Sequence, residues 1–360
     1  MSVLIDISHP AHVHFFRPII EALREKGVTV HVVARDKDVT VDLLESSGLE
    51  YEVVPMAPPG GLLASAGELV RRSLALRARI RQHRVRVVLT RNPSGAIAAF
   101  GTRTRSIFDT DDGRSVGIHY WAARPFADII TSSVHDPENH GRGHRRYRAI
   151  KAQMFLHPDR FTPDPEVRRR YLSDDERLAV VRFSAHDASH DRSISGISPS
   201  GRESILRRLS DFGAVLVSIE REGLQIWRGA GPSLHRQTVQ PQHFHQLLAQ
   251  SSIFVGDSQS VAAEAAVLGI PALRLSGFTG RTFYLSLLED QGLIRNFSPG
   301  AESSLLDELE LHLSEHEARL RWATEASREL NRATVDLPTW FASLAEECLS
   351  APSRIGSNLR

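Results

Sequence analysis

The chain is 360 residues long and its charges nearly balance, with a net charge of +1 at neutral pH. This length exceeds the size at which one hydrophobic core usually keeps growing, so we expect two domains. Hydrophobic residues make up 41% and charged residues 24% of the chain, which is typical of a globular protein and excludes a disordered one. The single cysteine, Cys348, excludes an intramolecular disulfide framework and a zinc site of paired thiolates.

The sequence shows neither a charged and apolar leader at its start nor an apolar run of about 18 residues, which a membrane-spanning helix needs. We therefore expect a cytoplasmic protein and leave open a peripheral position at the inner membrane face. Residues 1–165 carry 23 Lys and Arg against 18 Asp and Glu, whereas the remainder carries 21 against 25. The basic first half is expected to face an anionic partner.

Short apolar runs that are typical of β-strands alternate with helical patterns through the first half. The runs are VLIDI, VTVHVVA, VRVVLT, SIFDT and ADIITS, and the first four precede helical patterns at 13–26, 36–47, 94–101 and 115–124. This alternation predicts βαβ units on a parallel sheet. Residues 155–167 are rich in Pro and Asp and lack an apolar period, so we expect a linker there.

A second series follows, with the strand-like runs LAVVRF, AVLVSI, SIFVGD and IPALRL, helical patterns at 200–210 and 242–250, and a helical pattern after about residue 300. We predict an α/β, GT-B-like fold of two Rossmann-like doubly wound domains that face a cleft, followed by C-terminal helices. The expected domains are 1–160 and 166–330, with a helical tail at 331–360. Ligands of such folds bind beyond the carboxyl ends of the strands, so function should lie at the strand-to-helix turns.

The stretch VGDSQSVAAEAAVLG, residues 255–269, runs from a strand end into an Ala-rich helix. Asp257 or Ser258 can cap this helix, and the small side chains of Ser258 and Ser260 let a phosphate approach the free backbone N–H groups. Glu264 lies one turn further on the same helical face as Ser260, where its carboxylate would accept both hydroxyls of a ribose. The spacing fits a nucleoside diphosphate, and the alternative is a capped helix that packs its alanines on a sheet.

Three histidines follow the first strand in DISHPAHVHFFRPI, at positions 9, 12 and 14. Histidine can act as a general base near neutral pH, so His12 and His14 are candidate catalytic residues. A metal site is one alternative, although no carboxylate follows at a spacing typical of metal ligands. A capping or packing role is the other.

The segment VVRFSAHDASHDRSISGIS follows the first strand of the second domain. Arg182 can bind a phosphate in a bidentate manner, and Asp187, His190 and Asp191 supply acid–base or hydroxyl-binding groups. A metal site is the alternative, since His186 and His190 would share a helical face, but DRSISG favours a loop.

Two further segments carry candidate groups. In FDTDDGRS the adjacent carboxylates of Asp111 and Asp112 could hold a base or sugar hydroxyls, or could cap a helix. Residues 68–86 contain seven arginines, a pattern typical of a solvated helix face, with contact to a membrane or to an acceptor phosphate as the alternative. Nucleic acid is not expected, because no aromatic residues interleave with these arginines.

Four motifs, DISHPAHVHFFRPI, RFSAHDASHD, GDSQSVAAEAAVLGIPALR and GRTFYLSLLE, together resemble the uncharacterised family catalogued as domain of unknown function 354. That family is itself similar to the GT-B fold group, which contains nucleotide-sugar glycosyltransferases and the non-hydrolysing UDP-N-acetylglucosamine 2-epimerases. The resemblance implies that Ser258, Gln259 and Ser260 hold the donor pyrophosphate and that Glu264 binds its ribose. It also implies that His12 falls where some of these glycosyltransferases have Gly-Gly-His.

The sequence departs from these relatives in two places. SHPAH lacks the glycine-rich loop, and the Ser-Gly-Gly that follows Asp in the epimerases is Ser-Gln-Ser here. An epimerase is therefore the alternative rather than the first hypothesis.

We expect a metal-independent GT-B glycosyltransferase that uses a nucleotide-diphosphate sugar, with a UDP-sugar favoured and no bound cofactor. Its acceptor would be lipid-linked or a polysaccharide, in cell-surface polysaccharide or glycolipid synthesis. His12 or a carboxylate of Asp111 and Asp112 would deprotonate the acceptor, and Arg182 or Arg274 would stabilise the departing diphosphate. The alternatives are a nucleotide-sugar 2-epimerase-like enzyme and a non-catalytic nucleotide-sugar-binding protein.

Overall fold

A computed structural model describes residues 2–36, 40–54, 62–111, 113–183, 196–219, 223–229, 233–277 and 282–351. The chain forms two compact units, of which the second is Leu156–Ala333 and the first contains the residues before and after it. The boundary lies at the start of the expected linker rather than at 160–166. The rest of that segment is held by the second unit, since the Asp164 N–H donates to Gln246 Oε1 at 2.7 Å.

The first unit is built on a sheet of seven parallel strands. These are β1 (Ser2–Ile7), β2 (Thr29–Arg35), β3 (Glu52–Val54), β4 (Val87–Thr90), β5 (Arg105–Asp109), β6 (Ile129–Ser133) and β7 (His144–Tyr147). Their order is β3-β2-β1-β4-β5-β6-β7, so the sheet changes direction between β1 and β4. The sequence did not predict β3 and β7, which are the short edge strands of the sheet.

Helices cover both faces of this sheet: α1 (Pro10–Glu25), α2 (Thr40–Ser46), α3 (Leu62–Gln82), α4 (Pro93–Ala99), α5 (Ile118–Ala123) and the short α6 (Gln153–Leu156). Alternate residues of β1 point to opposite faces. Val3 and Ile5 pack in the cluster that contains α1, whereas Leu4 packs in the cluster that contains α3 and α4. The unit therefore has three layers, and its strands are apolar because they are buried on both sides.

The second unit is built on another seven-stranded sheet. Its strands are β8 (Leu178–Phe183), β9 (Ala214–Ile219), β10 (Gly223–Arg228), β11 (His235–Val239), β12 (Ile253–Gly256), β13 (Ala272–Leu275) and β14 (Ile294–Phe297). Their order is β11-β10-β9-β8-β12-β13-β14, and the change of direction lies between β8 and β12. The strands run parallel except for β10, which is antiparallel to both of its neighbours, β9 and β11. The sequence did not predict β10 and β11.

The remaining helices are α7 (Pro165–Arg169), α8 (Pro199–Phe212), α9 (Phe244–Leu248), α10 (Gln259–Val267), α11 (Phe283–Asp290), α12 (Glu302–Ser314), α13 (His316–Arg332) and α14 (Leu337–Ser350). The last of these belongs to the first unit rather than to a separate tail over 331–360. Its apolar stripe is buried against α1, where the rings of Phe341 and Phe15 lie 5.6 Å apart. Within the described ranges no helix combines the length and the apolar character that crossing a bilayer requires.

Candidate functional site

The start of α10 lies where the second sheet changes direction. β12 ends beside β8, and there the Asp257 N–H donates to the Arg182 carbonyl at 3.2 Å. Glycine is required at position 256, since a Cβ would lie 2.2 Å from that carbonyl oxygen. In doubly wound sheets this switch point, beyond the carboxyl ends of the strands, is where ligands bind.

Ser258 is the N-cap of α10, and its Oγ accepts from the Val261 N–H at 3.4 Å. Ser258, Gln259 and Ser260 are half-buried, whereas residues 261–267 are all buried. The first N–H groups of a helix have no acceptor within it and carry the positive end of its dipole. The accessible part of α10 is therefore the part that can bind an anion.

Glu264 lies one turn into α10 and is 8% exposed. Its Oε2 is 3.2 Å from Nε2 of His245, which α9 supplies. His245 is not among the residues predicted from the sequence, because nothing in the sequence indicates that α9 contacts α10. A carboxylate can accept about four hydrogen bonds, so the contact with His245 leaves capacity for a ribose diol.

Arg274 lies on β13 with none of its surface exposed. Its Nη1 donates to Asn296 Oδ1 at 3.0 Å, but its Nε and Nη2 have no partner among the described residues. Glu289 holds Asn296 in turn, since it accepts from the backbone N–H and from Nδ2 at 3.0 and 2.9 Å. Burial lowers the pKa of Arg274, against the opposing effect of Tyr284, Asp257 and Glu289. Unused donors on a buried cation are costly, and an anionic ligand would relieve that cost.

The other predicted ligands of the second unit are Arg182 and the segment after it. Arg182 is half-buried on β8, and its Nη1 donates to Ser218 Oγ on β9 at 2.7 Å. Its backbone thus lies beside the start of α10, while its guanidinium contacts β9. Asp187, His190 and Asp191 lie outside the described residues.

In the first unit, charged groups collect at the corresponding switch point between β1 and β4. Asp6 is fully buried and accepts hydrogen bonds from Arg72 Nη2 at 2.5 Å, Thr90 Oγ1 at 2.9 Å and Ser94 Oγ at 3.2 Å. Arg72 comes from α3 and is 3% exposed. This buried ion pair fixes α3 to β1.

Arg91, the residue after β4, joins a second set of charges. It donates from Nη1 to Asp109 at 2.7 Å and from Nη2 to Asp111, and Lys151 Nζ lies 3.2 Å from the same Asp111 carboxylate. Burial raises the pKa of Asp109, although Arg91 and Lys151 oppose the shift. Asp111 is committed to two cations, and Asp112 lies outside the described residues. The structure therefore favours another group as the acceptor base.

The three histidines of the first turn lie in three different settings. His9 is the N-cap of α1, where its Nδ1 accepts from the Ala11 N–H at 3.2 Å. His14 stacks on Phe155, with the ring centroids 5.4 Å apart. Of the two candidate catalytic histidines, His12 is the one that contacts Ser8, the residue after β1.

His12 is half-buried, and its Nδ1 lies 3.4 Å from both the backbone nitrogen and the Oγ of Ser8. Burial lowers its pKa well below the ordinary 6.5, and the positive charges of Arg91, His9, Lys151 and Arg72 lower it further. The imidazole is therefore neutral at physiological pH and able to accept a proton.

One group among the described residues offers three metal-ligating side chains, Asp136, Glu138 and His140. His140 Nε2 lies 2.8 Å from Asp136 Oδ2, and its Nδ1 lies 2.7 Å from the Tyr120 hydroxyl. Since both ring nitrogens already have hydrogen-bond partners, we interpret the group as a structural network.

Residues 1–283 match the model of a protein family of unknown function, DUF354. No curated protein matches the sequence. Solved structures resemble it across nearly the whole chain. S. aureus MnaA with UDP is 13% identical, with a TM-score of 0.66, over 98% of this chain and 99% of that one.

A UDP-GlcNAc 2-epimerase from Neisseria meningitidis, bound to UDP-GlcNAc, is 14% identical with a TM-score of 0.66, over 97% of this chain and 99% of that one. The spinosyn forosaminyltransferase SpnP is 16% identical with a TM-score of 0.67, over 98% and 100%. At such identities the likeness shows the fold alone, and it confirms the predicted GT-B-like class. The family match spans more than half of the sequence, and the chain therefore belongs to the DUF354 family.

Proposed function

We propose that this protein is a glycosyltransferase that takes a sugar from a nucleotide diphosphate and needs no divalent metal ion. The observation that carries the proposal is Arg274, a buried cation with two unused donors, in the unit whose switch point presents the accessible helix start of α10. Both features favour a diphosphate, and Glu264 offers a carboxylate to the ribose. Support comes from the fold, which is shared with a forosaminyltransferase, with a UDP-GlcNAc 2-epimerase bound to UDP-GlcNAc and with MnaA bound to UDP.

In this reaction an acceptor oxygen bonds to the anomeric carbon of the sugar as the bond from that carbon to the diphosphate oxygen breaks. Negative charge develops on the departing diphosphate. The first N–H groups of α10 and the guanidinium of Arg274, with Arg182 as a further candidate, would stabilise that charge. These groups would supply the positive charge that a divalent metal ion supplies in other transfer reactions.

His12 is the acceptor base in this proposal, in preference to His14 and Asp111. A base needs an unprotonated nitrogen that the acceptor can reach. The tautomer that our mechanism uses carries its proton on Nδ1 and donates it to Ser8 Oγ, which leaves the lone pair of Nε2 for the acceptor proton. The opposite tautomer, in which the Ser8 N–H donates to Nδ1, would make Nε2 a donor instead.

The favoured donor is a UDP-sugar, and the favoured acceptor is a hydroxyl of a lipid-linked sugar or a polysaccharide. The basic character of residues 1–165 supports an anionic acceptor or its membrane. Cell-surface polysaccharide or glycolipid assembly is the process that we propose on this basis, at the cytoplasmic side of the membrane.

A thermal-shift panel of UDP, GDP, CDP, dTDP and their sugars tests the donor site. One nucleotide should stabilise the wild type, by about 2.7 kcal/mol at a concentration a hundred times its Kd, and Ser260→Trp should abolish the effect. Ser200→Trp is the matched control, because Ser200 is likewise the second residue of a helix, α8, in the same unit. If no nucleotide acts, or if both variants respond as the wild type does, the donor site is elsewhere or absent.

Turnover then separates the reaction types. A product that forms only when donor and acceptor are both present supports the transferase. Epimerised sugar nucleotide from donor alone would instead make the protein an epimerase, and binding without any product would make it a binding protein.

A further inference from the structure

Helix α3 turns an apolar stripe to solvent. Its inner face buries Arg72, Leu76 and Ile80, while Val70 and Leu74 on the opposite face are 58% and 60% exposed. Ala66 and Ala78 continue the exposed stripe at the same four-residue spacing. The outer face of a helix that covers a sheet is ordinarily polar, so an exposed apolar stripe indicates a surface that binds a partner.

Helix α5 adds two large exposed side chains, Ile118 at 72% and Trp121 at 50%. It lies in the same helix layer as α3, because Leu4 beneath α3 and Phe108 beneath α5 point to one face of the first sheet. α4 packs between the two helices. The exposed apolar side chains of α3 and α5 therefore belong to one outer surface.

Arg35, the last residue of β2, contacts α3. Its guanidinium lies 3.5 Å from Glu68 on α3, and its charge helps burial to lower the pKa of His119 on α5. Glu68 is within two residues of Val70, and His119 follows Ile118. The two apolar areas lie over one face of the first sheet, and we call them together the α3–α5 surface, formed by Val70, Leu74, Ile118 and Trp121.

Arginines surround the α3–α5 surface. On α3, Arg71 is 64% exposed with its guanidinium 3.6 Å from Glu68, and Arg81 is exposed as well. Beside α5, the guanidinium groups of Arg114 and Arg124 each lie 5.8 Å from the Trp121 ring.

The arginines of residues 68–86 do not form a uniformly solvated basic face. Arg72 pairs with Asp6, Arg79 pairs with Glu52, and Arg77 donates to the Phe100 carbonyl. Of the described arginines in this segment, Arg71, Arg81 and Arg84 are exposed, and Arg71 lies beside Glu68.

We propose that the α3–α5 surface docks peripherally on an anionic lipid bilayer. The apolar side chains would enter the boundary between headgroups and acyl chains, with Trp121 at the depth that tryptophan prefers, and the arginines would bind lipid phosphates. Charge complementarity selects this partner over a second copy of the chain. In a twofold dimer through this surface the same arginines would face one another. The proposal is independent of the donor site.

Vesicle flotation with the full-length protein tests the proposal. The vesicles contain phosphatidylcholine alone or phosphatidylcholine mixed with phosphatidylglycerol, and the variants are Leu74→Asp and Ile118→Asp. The matched control is Leu311→Asp, on α12 of the second unit, where Leu311 is 40% exposed. We expect the wild type and the control to float with the anionic vesicles, more weakly at high salt. The two variants should bind about tenfold more weakly or not at all.

Thermal unfolding and the response to nucleotides, which the α3–α5 substitutions should leave unchanged, show that the variants are folded. Failure of the wild type to bind anionic vesicles at low salt would overturn the proposal, as would unaltered binding by both variants. A wild-type dimer in light scattering that Leu74→Asp converts to a monomer would assign the surface to a second copy instead. None of these outcomes bears on the donor site, which the thermal-shift panel tests separately.

Discussion

Replacement of Arg274 by methionine is expected to separate stability from ligand binding. The guanidinium is fully buried, and its one hydrogen bond in the described structure goes to the neutral amide of Asn296. Because Nε and Nη2 have no partner there, the wild type keeps two donors away from water without compensation. Methionine removes the charge and both donors, and it keeps an unbranched side chain that fits irregular space.

The expected free-energy balance follows from these contacts. Loss of the hydrogen bond to Asn296 costs about 1.5–3 kcal/mol, whereas each unsatisfied donor that is removed returns about 1–3 kcal/mol. Replacement of buried charge by a well-packed apolar side chain is often neutral or stabilising. We therefore expect the free energy of unfolding of Arg274→Met to equal that of the wild type or to exceed it by up to about 2 kcal/mol.

Urea unfolding gives the stability, and the thermal shift with the stabilising nucleotide gives the binding. Arg274→Met should keep its stability and lose the nucleotide response. Arg72→Met is the contrasting variant, because it leaves the Asp6 carboxylate buried without its cation and should cost about 3–5 kcal/mol. A loss of more than about 3 kcal/mol in Arg274→Met would refute the reasoning, since that is the cost of breaking a structural buried pair. An intact nucleotide response would refute the assignment of Arg274 to the diphosphate.

His12→Gln should keep the nucleotide response and lower the transfer rate by about 100-fold or more. The pKa of His12 lies well below 6.5, so a wild-type rate that already falls with acid at or above pH 6.5 would contradict its role as base. Glu264→Gln should weaken UDP binding by about tenfold in calorimetry and abolish any preference for UDP over 2′-deoxy-UDP, whereas an equal preference in both proteins would exclude contact with the ribose. Burial lowers the pKa of His144 to about 4, so its neutral form stabilises the fold above pH 6.5 and that contribution is lost as the pH falls from 6.5 toward 4. The shift corresponds to at most about 3 kcal/mol, which solvent screening reduces to about 1–2 kcal/mol. In urea unfolding at neutral and acid pH, the free energy of unfolding of His144→Gln should fall on acidification by that much less than that of the control His235→Gln, where His235 is exposed.

The sequence predicts the central strands well and the edge strands poorly. β1, β8 and β12 are buried on both faces, so their apolar runs stand out from their surroundings. β10 and β11 carry polar residues because they lie at an edge, and their antiparallel pairing depends on contacts along the sheet that no local pattern encodes. The helical pattern over 303–330 likewise gives no sign of its break at Glu315, where α12 ends and α13 begins.

The sequence likewise predicts some residues of the candidate site and not others. The start of α10 and its Ser258 cap could be predicted because small polar residues follow an apolar strand at helix-cap spacing. His245 and Asn296 could not, because each reaches its partner through packing of elements that lie 19 and 22 residues apart in the chain. Arg72, which lies 66 residues from Asp6, was seen only as one of seven arginines on a helix.

Charged residues inside buried strands bear on both the fold and the candidate site. Asp6 and Arg274 both interrupt apolar runs, so the sequence alone indicates that each needs compensation in the interior. For Asp6 the compensation is internal, because a guanidinium and two hydroxyls of the same unit surround its carboxylate. For Arg274 the described residues supply one neutral amide, and two donors stay unused at a position where doubly wound sheets bind ligands. Arg72 also has two nitrogens, Nε and Nη1, without a partner among the described residues, but its charge is neutralised by the Asp6 carboxylate. The partner of Arg274 among those residues is a neutral amide, and Arg274 lies on β13 beside Gly256, three residues before α10 begins. This difference in charge compensation is why we place the diphosphate at Arg274 rather than at Arg72.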